Sequence, residues 1–98
     1  MEFSRQLKLA GIDFFREVQV IPGRKYRFDF MIGQLLIEVQ GGIWQPGGHS
    51  TGAGISRDAE KTILAQLEGY MVFPITAEYI KSGEALRWVQ RAIKMLGE

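Results

Sequence analysis

Two acidic residues and a glutamine lie inside apolar segments of this chain. Asp29 lies within Arg-Phe-Asp-Phe, and Glu38 and Gln40 end the run Leu-Leu-Ile-Glu-Val-Gln. An ionised carboxylate within a sheet is unfavourable unless another charge compensates it. A divalent cation could compensate both acids, because Mg²⁺ is commonly held by one or two carboxylates together with water molecules. The residue types therefore suggest a metal-dependent enzyme.

The spacing around a glycine predicts that the three side chains share one face of a hairpin. Gly33-Gln34 separates the two apolar runs and is typical of a two-residue turn with glycine first. This turn places Asp29 directly opposite Glu38, with Cβ atoms about 4.5–5.5 Å apart. Gln40 lies two residues beyond Glu38 and so points to the same side of the strand.

Two alternatives apply to this prediction. Either acid could form an ordinary ion pair with a neighbouring base, for instance Arg27 or Lys61. A slip of one residue in the hairpin would also place Asp29 and Glu38 on opposite faces.

The elements that position these residues follow from periodicity and turn residues. Three strands joined by short turns predict an antiparallel meander, and a helix before the fourth strand predicts a right-handed crossover and a parallel pair. Within the second strand, Tyr26, Phe28 and Phe30 are expected on one face. The predicted α/β fold comprises a helix at Glu2–Ala10, strands at Phe15–Ile21, Lys25–Ile32 and Leu35–Gln40, a glycine-rich loop at 41–55, a helix capped by Ser56 and ending at Gly69, a strand at Tyr70–Ile75, a short helix at Thr76–Lys81 and a last helix capped by Ser82.

Length and composition indicate one domain over residues 1–98. The absence of cysteine excludes disulfides and cysteine-ligated zinc. No apolar run reaches the roughly 18 residues that span a bilayer, so no membrane association is expected. The N-terminal segment lacks the apolar core of a signal peptide, and a cytoplasmic location is expected.

Four sequence blocks follow one another along the chain: Arg27-Phe28-Asp29-Phe30, Glu38-Val39-Gln40-Gly41-Gly42-Ile43-Trp44, Gly48-His49-Ser50 and Asp58-Ala59-Glu60-Lys61. In this order they resemble the PD-(D/E)XK nuclease superfamily, and in particular its small phage-type and repair-type endonucleases. The resemblance implies a restriction-endonuclease-like core with a mixed four-stranded sheet flanked by helices and followed by a C-terminal helix. It also implies Mg²⁺-dependent cleavage of DNA, with Mn²⁺ as a substitute, and action in the host cytoplasm if the protein is phage-encoded.

The resemblance implies that Asp29 and Glu38 are metal ligands. Gln40 occupies the position where the family usually has lysine, and it would position the attacking water. Lys61 would supply the missing positive charge next to the phosphate, although a solvent-facing helix lysine is an equal alternative. An additional acidic ligand could be Glu2 or Glu17.

Both additional acids have simpler explanations. Glu2 could be an acid that favours the start of the first helix, or part of a frayed terminus. Glu17 follows Arg16, and an ion pair between the two would account for it.

Basic and aromatic residues near the predicted site are candidates for DNA binding. The basic residues Arg24, Lys25 and Arg27 could instead form an ordinary solvated face. His49 could be a plain loop residue, and Trp44 could anchor the loop at 41–55 by packing. An arginine at the start of a helix opposes the helix dipole, which favours a phosphate contact. The candidates are Arg24, Lys25, Arg27, Trp44, His49 and Arg57.

The resemblance favours a structure-selective endonuclease similar to Holliday junction resolvases, acting on branched or nicked DNA. Such an enzyme would be a homodimer, because a junction presents two cleavage positions and a C2 pair presents two active sites. The last helix, with Leu86, Trp88, Val89, Ile93 and Leu96, could form the dimer interface or pack on the core. The alternative function is a nuclease-fold module that binds nucleic acid without cleaving it.

Overall fold

The computed structural model describes residues 2–40 and 52–97, so Trp44 and His49 lie outside the described residues. The regular elements follow one another in an order that matches the sequence prediction. They are α1 (Glu2–Leu9), β1 (Phe15–Val18), β2 (Phe28–Ile32), β3 (Leu35–Gln40), α2 (Gly52–Leu67), β4 (Met71–Thr76), α3 (Ala77–Ser82) and α4 (Glu84–Leu96).

The four strands form one mixed sheet in the order β1-β2-β3-β4. Strand β2 pairs antiparallel with both β1 and β3, while β3 and β4 are parallel. The parallel pair is possible because α2 carries the chain from the end of β3 back to the start of β4. The predicted α/β fold, with helices flanking a four-stranded mixed sheet, is confirmed.

The β2–β3 hairpin has the predicted register. Phe30 pairs with Ile37 and Ile32 pairs with Leu35. Gly33, with φ 57°, adopts the left-handed conformation that favours glycine at the first turn position. One step beyond the Phe30–Ile37 pair, this register brings Asp29 next to Glu38, at the end of the hairpin away from the turn.

Helices cover both faces of the sheet. One cluster of buried apolar residues joins the sheet to α1, α3 and α4 and includes Phe3, Leu7, Phe30, Ile80 and Val89. A second and smaller cluster joins the sheet to α2 and consists of Ile21, Phe28, Leu36 and Ala65. The sheet is therefore the middle of three layers, and the Glu38 side chain lies at the α2 side.

The expected alternation of β2 is wrong at Asp29. Phe28 belongs to the cluster on the α2 side, whereas Phe30 belongs to the cluster on the α1 and α4 side. The two aromatic residues therefore lie on opposite faces although they are two residues apart. On the neighbouring strand, Glu17 has φ 52°, a value that non-glycine residues rarely adopt. Glu17 lies between the β1 residues that pair with Phe30 and Phe28, so the irregularity affects both strands at this level.

Several predicted boundaries are also wrong. Helix α2 begins at Gly52, so Ser56 is not its N-cap and Arg57 lies in its second turn. Strands β1 and β2 are shorter than predicted. Thr76 is the N-cap of α3, and its side chain accepts a hydrogen bond from the Tyr79 amide.

The last helix packs mainly on the core. Val89 is buried in the larger cluster, and Leu86, Ile93 and Leu96 are partly buried against it. Trp88 is partly exposed and contacts the ring of Tyr79, with the ring centroids 4.9 Å apart. Core packing is one of the two interpretations that the sequence allows for these apolar residues of the last helix. Participation in a dimer interface stays a prediction.

Candidate active site

A cleft of about 300 Å³ opens between the sheet and α2, at the end of β3. Its floor is formed by the last residues of β3 and the middle of β4, and one wall is a single face of α2. Helix α2 lies against these strands because it is the crossover that connects the parallel strands β3 and β4. The lining residues are Phe28, Glu38, Val39, Gln40, Asp58, Lys61, Thr62, Val72 and Pro74.

Glu38 and Lys61 form an ion pair within this cleft. The Lys61 ammonium donates a hydrogen bond to Oε2 of Glu38. The Lys61 side chain is only 15% exposed and that of Glu38 only 27% exposed. Lys61 Nζ also lies 4.6 Å from the centroid of the Phe28 ring, a cation–π contact. Lys61 is therefore not a solvent-facing helix lysine, and the ion-pair alternative for Glu38 is confirmed.

Asp29 is held at the same end of the hairpin by the backbone of β3. Its Oδ2 accepts a hydrogen bond from the Val39 amide at 2.7 Å. A carboxylate bound to a backbone amide is a short, charge-assisted interaction that fixes its orientation. The residue next to Val39 is Glu38, so this bond ties the two acids of the hairpin together.

Burial raises the pKa of the Glu38 carboxyl above its usual value of 4.5. The hydrogen bond and the positive charge of Lys61 lower this pKa, but they do not offset the loss of hydration. The negative charge of Asp29 raises this pKa further, while a hydrogen bond from the Asp29 backbone lowers it. The site therefore holds more negative charge than Lys61 neutralises, and an additional cation would stabilise it.

The pair Asp29 and Glu38 suits a hard divalent cation. Mg²⁺ uses one or two carboxylates and completes its shell with water and phosphate oxygens. Within residues 2–40 and 52–97, no group of three or more histidine, aspartate or glutamate side chains is arranged to hold a metal ion. The donor set that fits is therefore the two hairpin carboxylates, and solvent or a substrate would have to supply the other ligands.

Two further polar residues line the cleft. Gln40 ends β3 on the predicted face, and its side chain is exposed to the cleft. Asp58 projects from α2 one turn before Lys61. Sequence reasoning did not include Asp58 among the site residues, although the spacing of Asp58, Lys61 and Thr62 places them on one helix face.

The additional acids do not join Asp29 and Glu38 as a metal-binding group in the described structure. Glu2 is exposed, and its carboxylate accepts a hydrogen bond from Gln6 at 3.1 Å. Glu17 is 52% exposed and lies 3.7 Å from the guanidinium of Arg16. The ion pair that the sequence offered as the simpler explanation of Glu17 is present. A metal-binding role for either acid stays a prediction.

The candidate DNA-binding residues divide into three sets. Arg24, Lys25 and Arg27 are exposed in the segment before β2. Arg57 is exposed on α2 and lines a shallow depression beside the cleft. Trp44 and His49 belong to the part of the chain that the structure does not describe, so their roles stay predictions.

The comparisons with known proteins give one structural similarity. No protein-family model matches the sequence, and no curated protein matches it. The fold is similar to that of the catalytic domain of the homing endonuclease I-Bth0305I, with a TM-score of 0.74 and 19% sequence identity. The similarity covers 96% of this chain and 91% of that domain. In the described ranges, no helix is long and apolar enough to cross a membrane.

Proposed function

We propose that this protein is a metal-dependent endonuclease that hydrolyses phosphodiester bonds in DNA. The observation that carries the proposal is the pairing of Asp29 and Glu38 at the end of the hairpin, beside a cleft that also holds Lys61. The similarity to a homing endonuclease catalytic domain supports it, because that domain shares nearly the whole fold.

Asp29 and the residues that line the cleft would divide the work of hydrolysis. Asp29 and Glu38 would hold Mg²⁺, and the bound ion would neutralise charge on the phosphate and lower the pKa of a coordinated water. The Lys61 ammonium would provide a second positive charge next to the phosphate. The Gln40 side chain, at the open end of the cleft, would orient the water with its amide. Lys61 also neutralises part of the Glu38 charge through their ion pair.

The proposed substrate is a branched or nicked duplex, in particular a four-way junction cut by a homodimer. This finer proposal rests on the sequence blocks that resemble the small repair-type endonucleases. Two active sites related by a C2 axis would match the two cleavage positions of a junction.

A cleavage assay tests the function. Four-way, nicked, single-stranded and linear duplex DNA would be incubated with the protein in Mg²⁺, in Mn²⁺ and in EDTA. The proposal expects cleavage with either metal and none in EDTA. Preference for the four-way substrate would support the finer proposal, and equal cleavage of all four would contradict it. A protein that cleaves none of them contradicts the proposed activity.

The second candidate is a nuclease-fold module that binds nucleic acid without cleaving it. Gln40 favours it, since glutamine replaces the lysine that the family usually has at this position. The Glu38–Lys61 ion pair also favours it, because it satisfies one acid without a metal. DNA binding without cleavage, with a melting temperature that Mg²⁺ does not change, would support this candidate.

A further inference from the structure

Beside the cleft, two donors converge on one carboxylate of α2. Oε2 of Glu60 lies 3.4 Å from Nη2 of Arg24, and Oε1 of Glu60 accepts a hydrogen bond from the Tyr26 hydroxyl. Both oxygens of Glu60 are therefore used, each by a donor from the segment that leads into β2. A carboxylate and a phosphate diester both present two oxygens that share one negative charge and accept hydrogen bonds.

A second guanidinium group borders the same place. Arg57 lies one turn before Glu60 on α2 and lines a shallow depression with Tyr26, Ser56 and Glu60. Its charge acts on the Tyr26 hydroxyl, as does that of Arg24. Two arginines therefore lie around Tyr26 and Glu60, and together they carry one more positive charge than an ionised Glu60 neutralises.

The contacts of Glu60 are easily exchanged. The Arg24 side chain is 49% exposed and that of Glu60 is 45% exposed. Ion pairs at this exposure contribute little to stability, since water screens them and both side chains lose freedom. A stronger acceptor that entered from solvent could therefore replace Glu60 without disturbing the fold.

The depression and the cleft are lined by residues of the same two segments, the chain around the start of β2 and helix α2. Tyr26 lies two residues before Phe28, which lines the cleft, and Glu60 precedes Lys61 on α2. Because Glu60 and Lys61 are adjacent on α2, a DNA strand with one phosphate beside Lys61 could place a neighbouring phosphate at this depression.

We propose that Arg24, Tyr26 and Arg57 bind a DNA backbone phosphate adjacent to the one that is cleaved, and that Glu60 occupies the donors of Arg24 and Tyr26 until the phosphate replaces it. The inference rests on the proposed function and adds a second phosphate site to it. Arginine suits this task because its planar group can donate two hydrogen bonds to a phosphate.

The protonation of the two partners fits this arrangement. The hydrogen bond from Tyr26 lowers the pKa of Glu60, and the same bond raises the pKa of Tyr26. At neutral pH, Glu60 is therefore ionised and Tyr26 keeps its proton. Tyr26 can donate a hydrogen bond to a phosphate oxygen in the same way.

The test measures the affinity for the DNA that the wild type cleaves, with the metal omitted so that the DNA stays intact. Fluorescence anisotropy at several salt concentrations gives the dissociation constant and its salt dependence. Arg24→Ala and Arg57→Ala should each weaken binding and reduce the salt slope by about 1, the change expected when one phosphate contact is lost. Arg87→Ala, an exposed arginine of α4 on the other side of the sheet, is the matched control and should change neither quantity.

Glu60→Gln has the opposite expected effect. It should tighten binding by about 2–5-fold, the scale of an exposed charge interaction. Glu68→Gln, which makes the same charge change beyond the far end of α2, should have a smaller effect. In an Arg24→Ala background, the gain from Glu60→Gln should become smaller, because one of the two donors that Glu60 occupies is then absent.

Four outcomes decide the inference, with melting temperatures measured to confirm that each variant is folded. Weakening by both arginine variants together with tightening by Glu60→Gln supports it. A wild type that cleaves DNA while Arg24→Ala and Arg57→Ala match Arg87→Ala overturns this inference alone. An equal gain from Glu60→Gln and Glu68→Gln also overturns the role of Glu60. A wild type that neither binds nor cleaves DNA overturns the proposed function and this inference with it.

Discussion

The two faces of the sheet differ in what they bury. Among the described residues, the face toward α1, α3 and α4 carries a cluster of eleven buried residues, all of them apolar. The face toward α2 carries a cluster of four buried apolar residues, and beside this cluster lie the Glu38–Lys61 ion pair and the cleft. The apolar face holds the strands in place, and the α2 face uses that rigidity to keep two carboxylates close together at a cost in free energy.

Two phenylalanines of one strand provide the sharpest test of this difference. Phe28 and Phe30 are both fully buried, but they lie on opposite faces. Phe30 packs edge-on against the rings of Phe3 and Phe14, with centroids 5.5 and 5.4 Å away. Phe28 lies under the ammonium of Lys61.

Phe30→Ala is expected to cause the largest loss of stability. Removing this ring should lower the free energy of unfolding by about 3–5 kcal/mol, because a cavity forms within the larger cluster. Phe28→Ala should cost less, since the adjoining cleft lets water and side chains fill the space. Chemical denaturation of the two variants measures the difference. An equal or larger loss for Phe28→Ala would contradict the assignment of stability to the α1 and α4 face.

Lys61→Met is expected to have an intermediate effect. It leaves the carboxylate of Glu38 partly buried without its cation, which should lower the free energy of unfolding by about 1–3 kcal/mol at pH 8. The double variant Glu38→Gln/Lys61→Met removes both charges and should recover most of that loss. Denaturation curves of the single and double variants test this. If the double variant were less stable than Lys61→Met, the loss in Lys61→Met would not come from the unpaired charge of Glu38.

The smallest expected effect is a pH dependence due to Glu38. Because its pKa is raised on folding, the folded state binds more protons than the unfolded state above the usual value of 4.5. Stability should therefore fall as the pH rises from 4.5 through the raised pKa. The comparison of wild type with Glu38→Gln isolates this contribution, since the variant should lack it. A wild type that gains stability relative to the variant as the pH rises would show that the pKa is lowered.

The sequence predicted the site where short-range rules apply. A glycine-first turn of two residues allows one register, so the proximity of Asp29 and Glu38 could be predicted. The irregularity at Asp29 could not, because alternation in a strand assumes a regular ladder, and no residue type indicates the left-handed conformation of Glu17. The helix start at Gly52 was missed since glycine disfavours helices, and Ser56 is a common cap.

Longer-range features were only partly predictable. Lys61 was named both as a partner of the acids and as a source of positive charge, but sequence spacing cannot show that it crosses from α2 to Glu38, 23 residues away. The Asp58 position in the cleft depends on the same crossing of helix and sheet. The Tyr26–Glu60 hydrogen bond joins the segment before β2 to helix α2, and the packing of these two parts is fixed only in the folded chain.

The most direct test of the central claim is single-turnover cleavage of DNA in Mg²⁺ by the wild type and by Asp29→Asn. The substitution keeps the shape of the side chain and an oxygen that can accept from the Val39 amide, so the fold should be retained. The account predicts cleavage by the wild type and a loss larger than the roughly 10–100-fold that removal of an outer-shell partner of a metal causes. Equal cleavage by both proteins, at equal melting temperatures, would contradict the claim that Asp29 and Glu38 form the catalytic metal site.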